Sequence, residues 1–135
     1  MPFTVENKEH SVVKFVLTDP LVLDDLKRIL GLITNILETK KPFSFYVNCA
    51  VKIIPTPTQI HAFTTYLIAW MKASEPKIKE SLQSSAIIIT SSTFSSIFNG
   101  IFKIKPTIKP NLITTDLRKA EKFVNEIMIK YFENN

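Results

Sequence analysis

Apolar residues recur along this chain in two alternating rhythms, one with a period of two and one with a period near 3.6. Phe3-Thr4-Val5-Glu6-Asn7-Lys8 and most of Ser11-Val12-Val13-Lys14-Phe15-Val16-Leu17 alternate apolar with polar positions, which predicts two strands. Asn7 to His10 is short enough to turn between them as a hairpin. Asp19 then stands where a helix cap belongs, and Pro20 where the first helical residue belongs. Leu23, Leu26, Leu30, Ile33 and Leu37 follow at spacings of three and four and predict a helix over Leu21 to Thr39. Lys40-Lys41-Pro42 ends it.

Phe43-Ser44-Phe45-Tyr46-Val47 is strongly β-prone and ends near Asn48-Cys49. After a loop through Lys52, Ile53 and Ile54, Thr56 and Gln59 have the spacing of a capping box, with Pro57 at the first helical position. The helix so opened carries Ile60, Phe63, Leu67, Trp70 and Met71 on one face and runs to about Ala73. Pro76 breaks it, and Lys77 to Leu82 predicts a further short helical stretch. Ala86-Ile87-Ile88-Ile89 reads as a central strand covered on both faces. Ser91 or Ser92 can cap the next helix, which holds Phe94, Ile97, Phe98, Ile101 and Phe102. Pro106 and Pro110 bracket an extended connection. Leu112-Ile113-Thr114-Thr115 predicts a strand, and Asp116 caps a last helix whose apolar face is Ala120, Phe123, Val124, Ile127 and Tyr131.

The order β-β-α-β-α-β-α-β-α makes this an α/β chain. A hairpin opens a single mixed, mostly parallel sheet flanked by four main helices. At 135 residues, one domain over residues 1–135 is expected, large enough to need no disulfide or metal staple. Cys49 is the one cysteine, so no internal disulfide can form, and a reducing, cytoplasmic compartment is the expectation. No basic start followed by an apolar core suggests a signal peptide. The longest apolar region, Leu21 to Leu37, carries Asp24, Asp25, Lys27 and Arg28 and cannot span a membrane. A soluble protein is expected.

Together, the strand that ends at Tyr46-Val47-Asn48-Cys49, the helix start Pro55-Thr56-Pro57-Thr58-Gln59, and the close from Asn111 to Phe132 resemble a STAS domain. The nearest group is the SpoIIAA-like one, related to bacterial anti-sigma-factor antagonists. The resemblance is one of element order and length over nearly the whole chain. Asn48 stands where that family has an acid, and the family's Asp-Ser-Gly switch sequence is not present. The resemblance implies a non-enzymatic module that binds proteins or senses small ligands. It places Asn48, Thr56 and Thr58 at the recognition end. Apart from the resemblance, both threonines are candidates for phosphorylation, since they open a helix and Thr56-Pro57 has the form favoured by proline-directed kinases. A phosphate at a helix start would meet exposed amides. The simpler account of Thr56 is an N-cap, worth about 1 kcal/mol.

No catalytic set, cofactor site or metal site is evident. Cys49 and His61 could be drawn as a nucleophile and base. However, His10 and His61 are the only histidines, Gly31 and Gly100 the only glycines, and no activating environment for the thiol is visible. The stripe Phe94, Ile97, Phe98, Ile101 and Phe102 continues through Ile104 to Ile108, interleaved with lysines. Its inner part suits a core. Phe98, Phe102, Ile104 and Ile108 are the candidate interface, an apolar edge among lysines that suits a partner surface, a homodimer seam or a membrane-surface contact.

The net charge of +5 concentrates in the second half of the chain. Lys103, Lys105, Lys109, Arg118, Lys119 and Lys122 are candidate phosphate contacts. Nucleic-acid binding is the second choice, because Arg28 and Arg118 are the only arginines available to read phosphate and guanine. The preferred expectation is a non-catalytic, self-associating interaction module with a protein partner; a small apolar ligand is a variant of the same idea.

Overall fold

The computed structural model describes residues 3–8 and 11–134, with side chains over 11–134. β1 (Phe3–Lys8) and β2 (Val12–Leu17) pair antiparallel, Phe3 opposite Leu17 and Lys8 opposite Val12, as the alternation predicts. The hairpin turn at residues 9 and 10, and with it His10, lies outside the described residues. β3 (Phe43–Cys49), β4 (Leu82–Ile89) and β5 (Asn111–Thr114) then add in parallel, so the strands lie in chain order from β1 to β5.

That order decides where the helices go. Parallel neighbours joined by right-handed crossovers place every connecting helix on one face of the sheet. α1 (Leu23–Glu38), α2 (Pro57–Ala73), α3 (Glu75–Ser81) and α4 (Ser92–Ile104) all contribute to one core with Phe15, Leu17, Phe43, Cys49, Ile87 and Ile89. α5 (Leu117–Asn134) alone covers the other face. There Ala120, Val124 and Met128, each fully buried, meet Val12, Tyr46, Ala86 and Ile88. The two sets of strand residues alternate along β2, β3 and β4, as the pleat requires. β4 is buried on both faces, which explains its run of isoleucines. Below Tyr46 the α5 side of the sheet turns polar: Ser44 and Ser84, both fully buried, bond Oγ to Oγ at 2.7 Å.

Three local expectations need correction. α1 starts at Leu23 with Val22 as its N-cap and no side-chain cap. Asp19 does not cap it, because both carboxylate oxygens accept backbone N–H groups from the β3–α2 loop, Lys52 at 3.0 Å and Ile53 at 2.9 Å. Pro76 opens α3 rather than preceding it, being tolerated in a first turn that needs no N–H. β4 begins at Leu82, within the stretch expected to be helical. A register shift at Phe43/Ser44 lets Leu82 and Ser84 pair with successive residues of β3.

The remaining caps follow the sequence. Thr56 Oγ1 accepts from the Gln59 N–H and Gln59 Oε1 accepts from the Thr56 N–H, completing the capping box of α2. Ser91 accepts from the Phe94 N–H at 3.4 Å, and Asp116 from the Arg118 N–H at 2.9 Å. None of the described helices is long and apolar enough to cross a membrane.

Candidate functional site

Parallel strands β2, β3 and β4 end on the same edge of the sheet, and α1, α2 and α4 begin there on the same face. Open α/β sheets bind ligands outside the carboxyl ends of their strands. A cleft of about 250 Å³ occupies this place. Leu21, Val22 and Leu23 line it from the start of α1, Pro55 and Thr58 from the start of α2, and Phe94 and Ile97 from α4. Among the described residues no ionisable side chain lines it.

The connections that carry Val22 and Pro55 of this lining expose further apolar residues. Val22 is 42% exposed, Ile54 47% and Ile53 63%, although each belongs to a loop or cap where polar residues are usual. The three Asp19 bonds tie the loop that carries Ile53 to the loop that carries Val22. A carboxylate therefore joins the two apolar connections.

A second space of about 120 Å³, the inner cavity because core residues line it, opens on the same face between the sheet and the helices. Phe45, Val47, Leu67, Trp70 and Phe102 line it. Trp70 is anchored there by its indole N–H, which donates to Thr34 Oγ1 at 2.9 Å, while Thr34 in turn donates to the Leu30 carbonyl. Phe63 and Phe98 line both spaces. Their rings meet edge to face, centroids 5.8 Å apart at 89°, and stand between the cleft and the inner cavity.

Comparison of the chain with family models, with curated proteins and with solved structures finds no match. The site must therefore be read from its own chemistry.

Of the three residues expected at the recognition end, the structure brings two together. Thr56 and Thr58 are exposed at the start of α2, and Thr58 lines the cleft. Thr56 is engaged in its capping box. Asn48 falls on the alternate positions of β3 that face α5, so the sheet separates it from the cleft.

The expected apolar seam is largely internal. Phe98 is 7% exposed and packs on Phe63, and Phe102 and Ile108 are half-buried in the lining of the inner cavity. Ile104 alone of the four is well exposed, at 69%. The helical period explains the division: Phe94, Phe98 and Ile101 face the sheet, and Ile104 lies beyond the last covered turn.

The six basic residues are dispersed. Lys103 is exposed at the end of α4, and Lys105 forms an ion pair with Glu75 at 3.7 Å. Lys109 lines the inner cavity. Arg118, Lys119 and Lys122 are exposed at the start of α5, on the opposite face of the sheet from α4, with Lys122 beside Glu126 at 3.9 Å.

Cys49 is buried against the inner cavity, and burial pushes its thiol above the ordinary value of 9.0. A backbone hydrogen bond from Val51 opposes this, and the Asp19 carboxylate adds to it. His61 is exposed on α2 and lines neither space. Among the described residues no group of three or more His, Cys, Asp or Glu could hold a metal ion. Sequence reasoning did not find the two cavities. The signal for the cleft was present in the apolar runs Leu21-Val22-Leu23 and Ile53-Ile54-Pro55, which sit in connections and have no strand or helix to fill.

Proposed function

We propose that this protein is a non-catalytic interaction module that takes an apolar segment of a protein partner at the carboxyl end of its sheet. The observation that carries the reading is the 250 Å³ cleft, lined by exposed Val22 and, among the described residues, by no ionisable side chain, with exposed Ile53 and Ile54 preceding Pro55 of its lining. Apolar surface of this kind, gathered on two connections and held by Asp19, is characteristic of a contact site. It favours an uncharged segment with two or more neighbouring large side chains, one seated in the cleft and another beside it. Acid–base or nucleophilic chemistry there would have no group to perform it, since the nearest thiol is held protonated and the exposed histidine lies outside the cleft. Such a role accords with the resemblance to STAS domains.

The test is a selection from a random peptide library against the full chain, followed by affinity measurements on the enriched peptides. Apolar, weakly charged peptides are expected. Val22→Asp combined with Ile54→Asp should weaken them by about tenfold or more, since each buries a charge on binding. Ile129→Asp, at an exposed position on α5, should leave them unchanged. Affinity should hold between low and physiological salt, whereas phosphate contacts would weaken steeply. Enrichment of acidic peptides, or indifference to the Val22 and Ile54 changes, would refute the proposal. A second copy of the chain is the other occupant. Light scattering identifies it if Val22→Asp with Ile54→Asp lowers the subunit count.

A further inference from the structure

The inner cavity has one polar end, and nothing in the interaction reading uses it. Along β4 and β5 the residues facing this side of the sheet are Ser85, Ile87 and Ile89, and Asn111 and Ile113. Ser85 and Asn111 lie opposite each other in register and interrupt an otherwise apolar surface. Asn111 Nδ2 donates to Ser85 Oγ at 2.7 Å. Ser85 is 7% exposed, and its Oγ makes no other hydrogen bond among the described residues, so its hydroxyl proton remains available to an acceptor in the cavity. Thr107 and Lys109, just before Asn111 in the chain, also line the cavity. Lys109 is half-buried and has no acidic partner among the described residues, whereas its neighbour Lys105 is paired with Glu75.

An unpaired ammonium and a buried hydroxyl in the lining of an apolar cavity are complementary to one class of small molecule. We propose that the inner cavity binds a straight-chain monocarboxylate. Its carboxylate lies on Lys109 and Ser85, and its alkyl tail runs between Phe45, Val47 and Trp70 toward the Phe63–Phe98 pair. The charge-assisted bond to Lys109 supplies orientation, and burial of the tail supplies most of the affinity. At about 120 Å³ the cavity is of the order of an engineered apolar cavity that admits benzene, so a tail of roughly six carbons fits without moving the two rings. This site is separate from the cleft proposed above, and its test does not depend on that reading.

The experiment titrates the full chain with octanoate, octylamine and 1-octanol, which share an eight-carbon chain and differ in the head group, using chemical shifts or calorimetry. Octanoate should bind saturably, and octylamine about tenfold or more weakly than octanoate. Lys109→Met should weaken octanoate by about tenfold and leave octanol within about twofold, because only the head group loses its partner. Leu67→Trp should abolish both by filling the cavity. If that variant fails to fold, the Lys109→Met comparison decides alone, being a change at a half-buried surface position. Absence of saturable octanoate binding, equal binding of octanoate and octylamine, or an unchanged octanoate affinity in Lys109→Met would each overturn the proposal.

Discussion

Cys49 shows how one residue's setting fixes its chemistry. Its thiol is held protonated above the ordinary value of 9.0, chiefly by burial, with a smaller contribution from the Asp19 carboxylate. The unfolded chain releases this proton at lower pH than the folded one. The unfolded state therefore binds fewer protons as the pH rises, and stability must fall. The stabilisation is fully present below the unfolded pKa and is lost as pH climbs through the higher folded one. The expected outcome is a decline in unfolding free energy above about pH 8.5 that Cys49→Ala does not share, with a slope of at most about 1.4 kcal/mol per pH unit. Urea titrations of both proteins between neutral and alkaline pH measure it as a difference, which removes the titration of other groups. Asp19 and Thr56 mark the limit of local reading. The Thr56 box was legible because its partner Gln59 lies three residues away. The Asp19-Pro20 pair has the form of a cap, but its carboxylate is taken by amides 33 and 34 residues downstream. No local pattern contains that partner.

At the scale of elements, the β3–β4 pairing carries a buried polar contact on its α5 side. Ser44 and Ser84 share a hydrogen bond where neither reaches solvent. Removing one hydroxyl leaves the other buried without this partner, at a cost of about 1–3 kcal/mol, whereas removing both takes away the unmet demand as well. Ser44→Ala and Ser84→Ala should each destabilise, and the double variant should lose markedly less than their sum. A double-mutant cycle by chemical denaturation gives the coupling directly. These serines also explain why the start of β4 was hard to read. Gln83-Ser84-Ser85 has no apolar alternation, and what makes it a strand is the ladder supplied by β3 and the partner hydroxyl on Ser44. α1 and α2 were legible through their apolar spacing, which needs no knowledge of a neighbour. In α4 the same spacing showed which residues face inward, but not that the space beneath them is incompletely filled. That depends on side chains from β3, α2 and the α4–β5 connection together.

For the whole molecule, strand order gives the two faces of the sheet unequal cover. Four helices share one side, and α5 alone seals the other. Adjacent residues on α5 should then behave very differently. Met128 is fully buried and Ile129 is 43% exposed. Met128→Ala should cost about 2–5 kcal/mol, since nothing else can close over the gap, and Ile129→Ala about 0.5 kcal/mol or less. Urea unfolding of the two variants checks the contrast. The α/β class and the hairpin followed by parallel strands could be read from the alternation of rhythms, and crossover handedness then dictates the layering. The cleft and the inner cavity could not, because each is a difference between large packed volumes that no single segment determines.

Phe63 and Phe98 border both spaces at once. A guest that turns either ring reshapes the room next door, so the two compartments share one energetic account. Thermodynamic reciprocity then applies: if filling the interior tightens or loosens the grip of the outer pocket by some factor, filling the outer pocket alters the interior by that same factor.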